Sequence, residues 1–330
     1  MDPRASELPS LPPPPRAVTA LINGFNAIAS NVAIILFPAA LDFFLWLGPR
    51  LKADALLAPL MDALPEIQAQ APAEQAKVIT QLMTDFHNGL NLFSIFRTFP
   101  MGVFSLMSTN ISVKSPLGIR AALDVPDWLV AFGFILLLTF LGWVAGSLYF
   151  RSVSRAALKS QEGPSILRVL LQGVLLSVTW SLFFTVANLP VIIVLWMMTL
   201  LNTLLRTLLL VLLSVPVAWV LMVIFYSFYG VFTHSQNAFA STRNSIRMLR
   251  YGLPPLGWFT MLTILISQGM DLLWRAAPAD SWMMGVGILG HAFVSTSLLA
   301  ASFIYYRDLN AWIETALQWI KKQNKSSAQA

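Results

Sequence analysis

The sequence predicts an all-α fold, a polytopic transmembrane helix bundle of about six spans with interfacial amphipathic helices, and three observations predict it. Hydrophobic residues make up 57% of the chain and charged residues only 11%, against ~25% charged in soluble domains. The apolar residues come in long runs, and a helix rising ~1.5 Å per residue needs ~20 of them to cross a bilayer's hydrocarbon. Lys and Arg gather between those runs, where orientation by cytoplasmic positive charge puts them.

Residues 1–20 hold four consecutive prolines, Pro12 to Pro15. Such a run favours polyproline II and cannot be helical, so 1–20 read as a disordered cytoplasmic tail. Residues 21–48 read as the first transmembrane helix, with Pro38 and Asp42 inside it. The run is too long for a signal-peptide core and lacks a small-x-small cleavage site. Residues 49–126 are the one extended polar region, an extracytoplasmic loop with helix-compatible pieces at Lys52–Leu64 and Ala73–Leu90. Within it Asn91–Met107 is apolar and aromatic but interrupted by Arg97 and Pro100. It is too short to span, so an interfacial or re-entrant course fits.

Residues 127–306 read as a five-span bundle. The first of these spans, 127–150, has Trp128 and Tyr149 at its ends, where interfacial aromatics belong. Length alone allows two or three crossings in 165–233. Charge decides for two, because the basic segments 151–168 and 234–250 then share a side. Arg206 falls at the turn, where its stem can snorkel, and Pro190 and Pro216 are expected to kink the two helices. Spans at 255–276 and 283–306 follow, joined by a short turn marked by Trp274, Arg275, Pro278 and Trp282. In 307–330 the apolar residues Leu309, Trp312, Ile313, Ala316 and Ile320 share one helical face, predicting a cytoplasmic amphipathic helix on the membrane surface.

This arrangement puts both termini in the cytoplasm. Thirteen Lys and Arg then lie inside: Arg4, Arg16, Arg151, Arg155, Lys159, Arg168, Arg243, Arg247, Arg250, Arg307, Lys321, Lys322 and Lys325. The short outer loops keep Arg206 and Arg275 alone. The net charge of +6 is thus read as contact with anionic headgroups of the bilayer and not with nucleic acid, for no basic patch carries interleaved aromatics. The chain has no cysteine, which excludes disulfides and thiolate chemistry.

Polar groups at membrane depth are the candidates for function. Asp42 sits late in the first span. Asn23 and Asn26 share a face of it, and Asn31 follows. Gln268 and Asp271 are three apart on the fifth span, and Arg275 stands four beyond Asp271, which predicts an Asp271–Arg275 pair on one face. His291 lies in the sixth span with Gly287, Ser295 and Ser302 near its face, a spacing that lets helices approach closely. The segment 235–250 sets Phe239, Ile246 and Leu249 on one side and Arg243, Arg247 and Arg250 on another, an elbow suited to the headgroup layer. No metal or cofactor set stands out. Gly285, Gly287 and Gly290 match a dinucleotide spacing, but no strand precedes them.

The elbow NAFASTRNSIRMLRYG and the final IYYRDLNAW, within roughly 165–312, resemble the membrane domain fused to some glycerophosphodiester phosphodiesterases. The stretches LFPAALDFFLWLGPRL and NLFSIFRTFPMGVFSLM are similar to an uncharacterised bacterial multi-pass membrane family. The resemblance implies a bacterial cytoplasmic membrane. It implies no phosphodiesterase activity, which in such enzymes belongs to a separate soluble barrel. With no catalytic constellation in the sequence, the expected role is that of a non-enzymatic scaffold or envelope component. The alternative is a transporter or permease subunit, and it requires Asp42, Asn26, Gln268 and His291 to converge on one cavity.

Overall fold

The computed structural model describes residues 12–70, 73–110, 112–159, 164–198 and 203–327. Most of the tail expected at 1–20 lies outside them. The described part begins as non-helical Pro12–Arg16, and helix α1 starts at Ala17.

The first apolar run is broken. Helix α1 (Ala17–Ala29) and helix α2 (Leu36–Leu47) meet at 92° across a short 3-10 turn, Val32–Ile35. Ser30 Oγ donates to the Asn26 carbonyl and Asn31 Nδ2 to the Ala27 carbonyl, each at 2.9 Å. Side chains bonded this way compete with the helical ladder, and Asn31 leaves helical geometry at φ −137°, ψ 48°. Pro38 then falls in the first turn of α2, where a missing N–H is tolerated. A single helix over 21–48 is therefore corrected to two. Together they still progress along the last helix, α9 (Met283–Ser327). The Pro12 carbonyl accepts from Trp312 Nε1, Gly24 lies against Ser297 and Ala301, and Trp46 lies against Gly285.

Helices α5 (Trp128–Leu158), α6 (Ile166–Met198), α7 (Thr203–His234), α8 (Ala238–Trp274) and α9 each contain a stretch long and apolar enough to cross a membrane. Asp127 caps α5, its carboxylate accepting from Leu129 N at 2.7 Å and Val130 N at 3.1 Å, which fills two of the helix's orphan donors. Residues 165–233 make two long helices, as the charge argument requires. They run antiparallel: Trp180 Nε1 donates to Ser227 Oγ at 3.1 Å, and Phe99 packs against both Phe184 and Phe225. Their connection lies outside the described residues. Arg206 stands in the first turn of α7. Helices α6 and α7 continue unbroken through Pro190 and Pro216.

Helix α9 is the centre of the bundle and touches α1, α2, α5, α7 and α8. Phe259 of α8 stacks flat on Tyr305 of α9 with centroids 4.1 Å apart. Helix α8 breaks at Gly252 (φ −127°, ψ 21°), because Pro254 and Pro255 remove the N–H groups that would bond back to 250 and 251. Before the break, α8 contains the elbow.

Two expectations about this end are corrected. No separate surface helix begins at 307, since α9 runs continuously to Ser327. Its stripe Leu309, Ile313 and Ala316 is buried, and Leu309 and Ile313 reach Gly252 of α8. The elbow's apolar side also divides: Leu249 is buried while Phe239 is 80% exposed. Asn244 Nδ2 donates to Tyr306 Oη at 2.8 Å and to Asn310 Oδ1 at 3.1 Å. Arg247 reaches Glu314 at 3.3 Å, and Arg243 and Arg250 remain exposed.

At the opposite end, β1 (Arg50–Lys52) pairs in parallel with β4 (Ala122–Asp124), and β2 (Lys114–Ser115) pairs with β3 (Gly118–Ile119). Helices α3 (Asp54–Gln70) and α4 (Ala73–Gly89) pack on each other as a hairpin. Arg120 is buried and donates to the carbonyls of Leu45 and Ser112. Burial, together with the charge of nearby Arg50, brings its pKa down to about 10.

From this end Asn91–Met107 enters the bundle. After a 3-10 turn at Leu92–Arg97 the chain runs along α5. A Cβ added at Gly142 would lie 2.8 Å from Thr98, and one at Gly146 would lie 2.9 Å from Gly102 Cα. Gly146 is 18 residues beyond Trp128, ~27 Å along the helix axis. Met101 and Val103 are buried, and Phe104 packs edge-on against Tyr149, about two-thirds of the way along α5.

Candidate functional site

Residues of α7, α8, α9 and the entering segment line a cavity of 290 Å³. Helix α8 contributes Thr260, Thr263, Ser267, Gln268 and Asp271, spaced so that all five fall on one face. Helix α9 contributes His291, Ser295 and Ser302, the residues expected on one face there. Tyr226 and Tyr229 come from α7, and Arg97, Phe104 and Ser105 from the entering segment.

The polar centre is a pair. His291 Nδ1 lies 2.9 Å from Asp271 Oδ1, and both residues are largely buried. His291 Nε2 is buried without a partner among the described residues. The predicted Asp271–Arg275 pair is not formed. Arg275 caps α8 and its Nη2 donates instead to the Leu106 carbonyl at 3.1 Å, which leaves the Asp271 carboxylate to α9. Gly287 does allow close approach, with the Trp274 carbonyl 2.6 Å from where a Cβ would stand.

Around the pair the hydroxyls divide into two kinds. Thr260, Thr263 and Ser295 donate to carbonyls one turn back, at 2.9, 2.5 and 2.7 Å, so they offer only acceptor capacity, and Thr260 already accepts from Tyr226 Oη at 2.8 Å. Ser267 and Gln268 have no hydrogen-bond partner among the described residues and can bind in either sense. A buried imidazole nitrogen, a free amide and a free hydroxyl make a place for a polar group of a bound molecule. Ser295 Oγ bonds a main-chain carbonyl and not the imidazole.

A second cavity of 580 Å³ adjoins the first and shares Arg97, Phe104, Phe225 and Tyr229 with it. Phe99, Pro100 and Phe150 make it largely apolar. Arg97 stands between the two, its Nη1 donating to Ser108 Oγ at 3.1 Å. A polar centre beside an aromatic cleft fits an amphipathic molecule.

The four residues that a transport role requires in one cavity divide. Gln268 and His291 line it with Asp271. Asp42 stands one residue behind, accepting from Ser105 Oγ, Leu106 N and Met107 N. Asn26 is elsewhere, at the basic end of the bundle. Arg243, Arg247 and Arg250 also belong to that end and take no part in this cavity. Among the described residues no three His, Asp or Glu come together as a metal site.

No family model, curated protein or solved structure matches this chain.

Sequence reasoning missed Arg97, Ser105, Tyr226 and Tyr229, which chain folding alone brings to the site. It also passed over Thr260, Thr263 and Ser267. With Gln268 and Asp271 these form a polar stripe at intervals of three, four, one and three on an otherwise apolar helix, and that periodicity was available.

Proposed function

We propose that this chain is a multi-pass protein of a bacterial cytoplasmic membrane, with both termini cytoplasmic. In this reading it binds and carries an amphipathic solute as a transporter or permease subunit. The observation that supports the reading is that Gln268 and His291, two of the four residues required, meet with Asp271 on one cavity beside an aromatic cleft, while Asp42 and Asn26 lie outside it. Transporter sites lie between helices near mid-membrane and use interrupted backbone where it lines a cavity. The entering segment Asn91–Met107 supplies such backbone here. Orientation follows from the basic residues at the end of α5, at the start of α8 and at the end of α9, which share one end of the bundle.

Kinship with the membrane domain fused to some glycerophosphodiester phosphodiesterases is part of the same proposal. The two segments that carry the resemblance, 237–252 and 304–312, are those joined through Asn244, Tyr306 and Asn310. The scaffold reading has one observation in its favour: Val78, Leu82 and Phe86 form an exposed apolar stripe on α4, which suits the outer headgroup layer or a partner there.

Solvent extraction and mass spectrometry of protein purified from native membranes test the transport reading. Wild type should release one amphipathic compound in near-stoichiometric amount. Ser295→Leu, which fills the cavity, should release little of it while eluting as a folded species. Equal recovery from both proteins would overturn the assignment of the cavity.

A further inference from the structure

At the basic end, two further cavities meet at the break in the first span. One, of 460 Å³, is lined by Asn23, Asn26, Ser30 and Asn31 of the first span, by Lys159, and by Arg307 of α9. The other, of 530 Å³, is lined by Asn31, Ile34, Arg151, Ser152, Arg155 and Lys159. They share Asn31, Ala156 and Lys159 and form one cup.

Its charge is one-sided. Arg155 and Lys159 have no carboxylate partner among the described residues, and Arg151 uses only Nε, which donates to the Pro164 carbonyl at 3.3 Å. Arg307 alone is paired, with Asp308 at 2.8 Å. The side chains of Asn23 and Asn26 bond nothing among the described residues. Asn31 donates through Nδ2 to Ala27 and keeps its carbonyl oxygen free. Three guanidinium or ammonium groups beside free amides match a phosphate, which accepts several charge-assisted hydrogen bonds at once. The amide oxygens can take hydroxyl donors next to it.

One wall of the cup is apolar, made by Ala27, Ala156, Ala157, Leu158 and Ile304. The break that shapes the cup also turns Val32 and Leu36 outward, 51% and 62% exposed. Apolar surface continuous with a phosphate site is what an acyl-anchored phosphate would use.

We infer that this cup binds the phosphate of an anionic phospholipid headgroup, with Arg151, Arg155 and Lys159 holding the phosphate and Asn23, Asn26 and Asn31 facing the rest of the headgroup. The inference is independent of the solute cavity, for the two share no residue.

The full chain in detergent would be titrated with phosphatidylglycerol, phosphatidylcholine and inorganic phosphate, and bound species counted by native mass spectrometry. Phosphatidylglycerol should bind about tenfold more tightly than phosphatidylcholine, and the double change Arg155→Gln, Lys159→Gln should remove about that factor. Asn26→Asp sets a negative charge on an exposed position of the cup. It should weaken phosphatidylglycerol without disturbing the fold, and so keeps the test open should the double variant misfold. Equal binding of the two lipids, or variants that bind phosphatidylglycerol like wild type, would overturn the site. Inorganic phosphate binding as tightly as phosphatidylglycerol, with the same loss in the variants, would overturn the lipid as its source.

Discussion

Asp42 and Ser105 are hydrogen-bonded to each other across 63 residues of sequence, inside the bundle. The same carboxylate accepts the Leu106 and Met107 N–H groups, each at 3.0 Å. One side chain of α2 therefore fixes the returning limb of the entering segment. Ser105 lines the solute cavity, so this latch also sets the cavity's wall.

Replacing Asp42 with Ala strips three buried donors of their acceptor, each worth ~1–3 kcal/mol when left unmade. Asp42→Asn keeps one acceptor oxygen and should lose less. Thermal unfolding in detergent should show the order wild type, Asn, Ala. Limited proteolysis should cut 91–107 faster in the Ala variant. An Ala variant melting with wild type would remove the latch.

Gly146 admits the entering segment because it has no side chain. A Cβ there would press on Gly102 backbone at 2.9 and 3.0 Å, and backbone does not yield as a flexible side chain does. Gly146→Val should destabilise by ~1–3 kcal/mol, the range for an overfilled interior. Gly257→Ala, with nothing within 4 Å of the added carbon, should be neutral or mildly stabilising. The paired melts check both.

Arg120 holds the C-terminal end of α2 to the loop through the Leu45 and Ser112 carbonyls. Arg120→Ala leaves both acceptors short in a buried place, at a cost of ~1–3 kcal/mol each. It also relieves Arg50 of a like charge. The net effect should be a lower melting temperature, with Lys a partial substitute. No change on Arg120→Ala would show that water replaces the guanidinium freely.

Reporter fusions check the proposed orientation. Reporters after Lys159 and after Ser245 should give the cytoplasmic response, and one after Ala279 the opposite response. A split between the first two would break the even number of crossings between α5 and α8.

Most of the helical frame was legible in the sequence. Apolar length marked five of the spans, and the basic segments either side of 165–233 settled its two helices. Apolar length did not show the break at Ser30–Asn31. A polar side chain bonding its own helix gives no periodicity signal, and the run reads as continuous. The stripe Leu309, Ile313 and Ala316 was legible as a face, but not what it faces. Lipid and a neighbouring helix are equally apolar partners, and only the kink at Gly252 brings α8 within reach. In the candidate site, Gln268, Asp271 and His291 stood out as polar groups in apolar helices. Their partners did not, because the Asp271–His291 contact depends on how α8 and α9 pack. Local spacing favoured Arg275, which the fold assigns to Leu106.

Burial is very uneven among the long helices. In α9, 78% of the most apolar stretch is enclosed, against 11% in α7 and α8 and 22% in α5 and α6. The helix about which the others close is also the last of them to leave the ribosome. Until it arrives, α1, α5 and α8 lack their common partner, and Asp271 lacks His291. Assembly of these helices must therefore wait for α9, and a nascent chain stalled before Met283 would present those unfinished faces to whatever attends it.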